Sequence, residues 1–226
     1  FSLMFVELDR RAYESSNFNN SDSSIEIIES ISPTKEFIII SHGFAGSKEM
    51  MRQIAYDIAN AGSNAVLFDF IGHGSNQQKL VNQPAEITGT TQQLVAQLSD
   101  IIKSIYEKFG NEISISLVGH SMASDIVIRA SADERIKSVV AISPYSTGIT
   151  PDFPKDLLLI SGQFENHLRS HALKMVKTFR PDAEENTGYA DERIRRKASY
   201  IKNTGHVSVI YAPQTTKIII DWLNLE

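Results

Sequence analysis

The sequence predicts an α/β protein: a mostly parallel central sheet of about eight strands with helices on both faces. Three observations carry this. Short, almost wholly apolar runs at residues 37–40, 65–70, 138–142 and 156–161 have the character of strands buried on both sides, as in a sheet covered on both faces. Between such runs lie segments with apolar residues at helical spacing, as at residues 90–109, where Leu94, Val95, Leu98, Ile101, Ile102 and Ile105 share one face. The two kinds of segment alternate, and parallel neighbours need crossover connections of that length.

Taken in order, residues 3–8 alternate Phe, Val and Glu among leucines, residues 15–24 are rich in Ser, Asn and Asp, and residues 25–31 turn apolar again. This pattern predicts two edge strands joined by a flexible hairpin or loop. The strand at 37–40 runs into Ser41-His42-Gly43-Phe44-Ala45-Gly46. A helix over 47–61 follows, with Ser47 as N-cap and Gly62 just past its end. The strand at 65–70 then meets the turn Asp69-Phe70-Ile71-Gly72-His73-Gly74-Ser75, and the helix over 90–109 stops at Gly110.

After a strand at 113–118 and a helix from Met122 to Ala130 come a strand at 138–142 and a Pro/Ser/Gly loop reaching Lys155. A strand at 156–161, a helix over about 167–179, a charged segment, a strand near 198–202 and a last helix over about 215–223 complete the chain. No internal repeat interrupts this order, and 226 residues at 42% hydrophobic content bury about 70 to 75% of the unfolded surface. One domain over residues 1–226 is expected.

The formal charge of -5 and the lack of a dense Lys/Arg run argue against a nucleic-acid or anionic-membrane partner; the nearest approach, 193–197, has the pattern of a solvated face. The chain has no cysteine, which excludes disulfides, thiolate catalysis and thiolate metal sites and fits either redox compartment. No run of eighteen apolar residues exists, so no transmembrane segment is expected. The chain opens at Phe1, which implies a removed start, signal peptide or anchor, or a longer parent protein; a cytoplasmic place is favoured, with export or anchoring open.

The chemistry centres on Gly119-His120-Ser121-Met122-Ala123, where a buried strand reverses into a helix. So abrupt a reversal forces its central residue into a strained conformation and demands small residues two positions either side. Gly119 and Ala123 meet the demand. The Ser121 hydroxyl is then exposed at the carboxyl end of the sheet, with a helix amino terminus behind it to favour negative charge.

This stretch resembles the nucleophile elbow of the α/β-hydrolase superfamily, usually Gly-x-Ser-x-Gly, with Ala123 in place of the last glycine. The resemblance covers almost the whole chain and points to a serine esterase or dienelactone-hydrolase-like member with no large cap. It implies the order serine, acid, histidine, which leaves His167, His171 and His206. His206, in Asn203-Thr204-Gly205-His206-Val207 between the last strand and the last helix, is the expected base. His167 and His171 lie four apart on a helix and are expected to face solvent. They are not read as a metal pair, because Leu168 stands where a zinc-protease helix carries glutamate.

Many relatives carry Gly-x-x-Asp after the penultimate strand, and this chain has Gly162-Gln163-Phe164-Glu165. Glu165 is the expected acid, with Asp152, Asp156 or Asn166 next in line. The family's His-Gly loop matches His42-Gly43-Phe44, so the backbone N–H groups of Phe44 and Met122 are the expected oxyanion hole, with His42 shaping the loop. Asp69 and Gly72-His73-Gly74 resemble a loop-shaping family segment, in which Ile71 replaces a frequent arginine.

The resemblance implies a serine hydrolase that forms an acyl-enzyme on Ser121, with no cofactor and no metal, acting on a small-molecule ester or thioester of small to medium acyl size. Peptide hydrolysis, acyl transfer by the same triad, or a non-catalytic binding protein are the alternatives. Residues 143–155 are too few for a large lid, so Phe44, Met122, Tyr145 and Phe153 are expected to wall an open site; the segment 181–197 is long enough to fold over it instead.

Overall fold

The computed structural model describes residues 14–20, 23–80 and 87–225. The expected strand at 3–8 lies outside them. The described residues form a nine-stranded sheet in the order β1-β2-β4-β3-β5-β6-β7-β9-β8. The strands are β1 Ser15–Asn19, β2 Ser24–Ile28, β3 Glu36–Ser41, β4 Asn64–Phe68, β5 Ser114–His120, β6 Ile136–Ile142, β7 Asp156–Gly162, β8 Gly188–Ala190 and β9 Arg195–Ile201. The six strands from β4 to β9 in that order are parallel neighbours; β1, β2 and β8 attach antiparallel at the two edges.

The described residues hold five α-helices, four between strands and one after the last: α1 Arg52–Asn60, α2 Gln92–Phe109, α3 Met122–Ala130, α4 Asn166–Lys177 and α5 Pro213–Leu223. The continuous apolar runs have the predicted consequence, since consecutive side chains point to opposite faces and each face is covered. Ile39, Leu117 and Leu159 pack with α2, α3 and α4 residues such as Leu98, Ile102, Val127 and Val176. Ile38, Ile40, Val118 and Ile160 pack with Ile54 and Ile58 of α1 and Ile219 of α5.

Two expectations at the edges are corrected. The polar stretch at 15–24 contains an edge strand, β1, which pairs from Ser15↔Ile28 to Asn19↔Ser24; an edge strand tolerates polar side chains because only part of it needs burial. The apolar run at 25–31 leaves the sheet after Ile28, and Ile31 is exposed. The helix expected over 47–61 opens with a 3₁₀ turn, Lys48–Met51, and Ser47 makes no side-chain cap.

The segment 181–197 is spent on the β8–β9 hairpin at the sheet edge, closed by Asp191 Oδ1 accepting from the Arg193 and Ile194 N–H groups. Buried Arg196 ties that edge to the 150–154 loop and to α4. It donates to the carbonyls of Thr150 and Pro154 and to Thr178 Oγ1, and burial, only partly offset by the charge of Asp152, pushes its pKa down to about 10.

Topology places the site. From β3 the chain moves outward to β4 through α1 on one face, then returns past β3 to β5 and continues to β6 through α3 on the other face. The loops leaving β3 and β5 therefore diverge, opening a crevice at their carboxyl ends where open α/β sheets place ligands.

Candidate active site

Ser121 sits between β5 and α3 with φ +55 and ψ -116, a conformation that non-glycine residues rarely adopt. It persists because its surroundings over-determine it: the Ser121 N–H donates to the Ile142 carbonyl and the Ser121 carbonyl accepts from Ser124 N–H. Gly119 is required by close approach. A Cβ there would lie 2.5 Å from the Ala123 carbonyl oxygen and 2.8 Å from a Val127 methyl.

Two more loops converge on Ser121. Gly162 lets the loop after β7 lie against the loop after β9, since a Cβ on it would stand 2.7 Å from the Thr204 carbonyl oxygen. Gln163 N–H donates to the Ile201 carbonyl, Phe164 N–H to the Thr204 carbonyl, and Asn203 N–H to the Gln163 side chain. This zipping brings His206 between Glu165 and Ser121. His206 Nδ1 is 2.7 Å from Glu165 Oε1, and His206 Nε2 is 2.8 Å from Ser121 Oγ.

The partners assign the protons. An ionised carboxylate only accepts, so Nδ1 carries the hydrogen and the free pair on Nε2 faces the serine O–H. Glu165 Oε2 accepts twice more, from Gly162 N–H at 2.6 Å and from Ser143 Oγ at 2.8 Å. The carboxylate is 6% exposed and the imidazole 47%. Carboxylate, imidazole and hydroxyl thus form one line running from the interior to the surface.

The loop after β3 approaches the same point. A Cβ on Gly43 would be 3.1 Å from both Ser121 Cβ and His120 Nδ1, so any larger residue would have to push one of them back by a few tenths of an ångström. Among the described residues, neither the Phe44 nor the Met122 N–H has a protein acceptor. The Phe44 ring itself is 72% exposed, edge-on to His73.

Two buried histidines brace these loops. Phe70 N–H donates to His42 Nε2, which leaves His42 Nδ1–H to donate to the Gly43 carbonyl. His120 Nε2–H donates to the His206 carbonyl at 2.8 Å, and His120 Nδ1 is buried without a partner. Burial is the main force holding both rings below their ordinary value, despite the carbonyls they donate to, so both are neutral. Asp69 shapes the neighbouring turn by accepting from Lys48 N–H, Ser75 N–H and Ser75 O–H. Burial alone would raise its carboxyl, but those donors outweigh it and hold the group ionised.

The other sequence-based candidates separate clearly. Tyr145 is 59% exposed, donates its N–H to Ser124 Oγ in the first turn of α3, and stacks on His171 at 4.5 Å between ring centroids. His171 is therefore not the solvent-facing residue expected; it lies half-buried beneath Tyr145 and contacts Ser146. Phe153 is a second correction. It lines a cavity with Ile136, Lys137 and Asp156, at the amino ends of β6 and β7 and so at the opposite rim of the sheet from Ser121. The shortness of the 143–155 loop suggested otherwise, but that loop travels the full height of the sheet.

Asp156 lies at that same far rim, held by Ser138, Trp222 and Arg195, and Asn166 begins α4; neither faces His206. Among the described residues no group of three or more His, Cys, Asp or Glu could hold a metal. No described helix is long and apolar enough to cross a membrane. Sequence reasoning did not find the contributions of Ser143 and His120. Nothing in the pattern of a buried strand end says which carbonyl or carboxylate its last side chain reaches.

The family model described as serine aminopeptidase, S33, matches residues 32–208, most of the chain. The chain belongs to this α/β-hydrolase family. No curated protein matches this hydrolase in sequence. Among solved structures, it is similar to an esterase of Pyrococcus furiosus, with a TM-score of 0.71 at 16% identity, covering 96% of this chain and 94% of that one. A dienelactone hydrolase from Anabaena variabilis gives a TM-score of 0.64 at 14% identity, covering 93% and 94% of the two chains. A serine hydrolase without lid from Xanthomonas campestris gives 0.63 at 12% identity, covering 94% of each. At such identities the likeness is one of fold, and it extends over nearly the whole hydrolase with no large cap.

Proposed function

We propose that this hydrolase cleaves carboxylic esters or thioesters of small to medium acyl size through an acyl-enzyme on Ser121. The observation that carries this is the line Glu165 Oε1, His206 Nδ1, His206 Nε2, Ser121 Oγ, with both links at hydrogen-bond length.

In this mechanism the Ser121 proton passes to His206 Nε2 as Oγ bonds to the acyl carbon. Glu165 holds the imidazole in the required tautomer and stabilises the imidazolium. The carbonyl electrons move onto oxygen, and the unpaired N–H groups of Phe44, in the loop after β3, and of Met122, at the amino terminus of α3, receive that charge; each such donor lowers the barrier by about 3 to 4 kcal/mol. Collapse breaks the bond to the leaving alkoxide or thiolate, which takes the proton from His206. Water then enters by the same route and releases the acid. The exposed imidazole and the absence of a large cap support an open site with Phe44, Met122 and Tyr145 as its apolar wall.

The test is turnover of p-nitrophenyl acetate and butyrate by the parent protein and by Ser121→Ala. The expected result is hydrolysis by the first and none above background by the second; equal turnover by both would remove Ser121 from the chemistry. A second reading, peptide hydrolysis by the same line, is favoured by the family's description. Amino-acid p-nitroanilides distinguish it, since the ester reading expects them to be turned over far more slowly than the esters.

A further inference from the structure

At the end of β6 the chain does something that its sequence gives no local reason to do. Ser143 is fully buried yet has φ +51, the left-handed region in which glycine is at ease and other residues are strained. Its backbone position does not depend on its side chain, because the Ser143 N–H is already anchored on the Ile160 carbonyl of β7. Glycine would satisfy that backbone without strain. The hydroxyl therefore needs a use that offsets the strain, and its one described hydrogen bond is to Glu165 Oε2.

We propose that Ser143 is a positioning residue for the acid of the site: its hydroxyl and the Gly162 N–H clamp Glu165 Oε2 from the ends of two different strands, and so aim Oε1 at His206. This rests on the hydrolase reading given above. The physical need arises from the residue type. Glutamate has one more rotatable bond than aspartate, so a single donor leaves its carboxylate free to swing about the terminal torsion. Two donors on one oxygen, from β6 and from β7, fix the carboxylate plane. The Nδ1 to Oε1 link of 2.7 Å is then made without a conformational search, which is the preorganisation that a transition-state charge pair exploits.

A purely structural serine and a positioning serine behave differently when replaced. Ser143→Gly removes the hydroxyl and relieves the backbone. The clamp account expects kcat on p-nitrophenyl butyrate to fall on the order of tenfold, the size of one hydrogen bond to a charged group. It expects KM to hold within about twofold, because the hydroxyl does not touch substrate. The thermal midpoint should stay within about 4 °C of the parent, and fluorophosphonate labelling of Ser121 should slow by the same factor as kcat.

Ser143→Ala keeps the strained backbone without the hydroxyl. Assayed well below its own midpoint, it should lose kcat as Ser143→Gly does while melting lower. Parent kcat in either variant, or a loss of kcat in Ser143→Gly accompanied by an equally severe loss of thermal stability, would overturn the proposal. A parent protein in which Ser121 never labels would end the hydrolase reading itself. A parent and a glycine variant that label equally fast would end this inference alone.

Discussion

Shortening the acid of the site by one methylene gives the sharpest numerical consequence of the geometry. Glu165→Asp draws the carboxylate back by about 1.5 Å, one C–C bond. If the shorter side chain keeps the Gly162 N–H and Ser143 O–H bonds, now 2.6 and 2.8 Å, its outer oxygen retreats from His206 Nδ1. The present 2.7 Å separation then opens to about 4 Å, beyond hydrogen-bond length. If it keeps the imidazole instead, both anchors are lost. Either way at least one charge-assisted bond disappears, each worth about 1.5 to 3 kcal/mol, and with one lost kcat should fall about 10- to 150-fold.

Glu165→Gln keeps the size but not the charge. With nothing to stabilise the imidazolium, its loss should be larger, on the order of 10³- to 10⁴-fold, as for removal of an orienting acid elsewhere. Both variants are assayed by steady-state turnover of p-nitrophenyl butyrate, with near-parent thermal midpoints confirming the fold. Parent-like kcat in Glu165→Asp, or a glutamine variant as active as the aspartate one, would refute the reasoning.

Three further outcomes follow from the same geometry. Gly119→Ala presses a Cβ on the Ala123 carbonyl 2.5 Å away, so α3 must shift; stability should drop by about 1 to 3 kcal/mol and kcat on the order of 100-fold, read by thermal melting and by turnover. His42 and His120 are held neutral below their ordinary value of 6.5 by burial. The stability that their neutral forms contribute is therefore complete above the unfolded value and is lost as pH falls through the lower folded values, so the thermal midpoint should decline on the acid side of about 6.5 and stay level above it. A midpoint that is level across that acid window counts against the two braces. Tyr145→Ala should raise KM for the butyrate ester several-fold through lost apolar contact of about 1 kcal/mol, whereas Phe153→Ala, at the far rim, should lower stability and leave KM unchanged.

The order of elements was legible in the sequence because buried parallel strands and amphipathic helices have different periods, and at 37–40, 113–118 and 156–161 the apolar runs admit only one interpretation. The edges were less so. β1 is made of Ser, Asn and Phe and looks like loop, since an edge strand is held by backbone pairing to β2 that composition does not encode. At the site, Ser121 stood out because the elbow demands small residues at fixed offsets, and Glu165 and His206 because family order leaves few choices. Ser143 and His120 left no such trace: their contributions depend on which group lies across from a strand end, a matter of register and twist. Phe153 was misplaced for the opposite reason, as the shortness of the 143–155 loop says nothing about the height of the sheet that the loop crosses.

The most direct measurement is the site of covalent modification by a fluorophosphonate, mapped by mass spectrometry of the digested protein. The geometry predicts a single adduct on the peptide containing Ser121, formed in step with loss of ester turnover and absent after His206→Ala. An adduct elsewhere, or folded protein that remains unmodified with Ser121 open to solvent, would contradict the account.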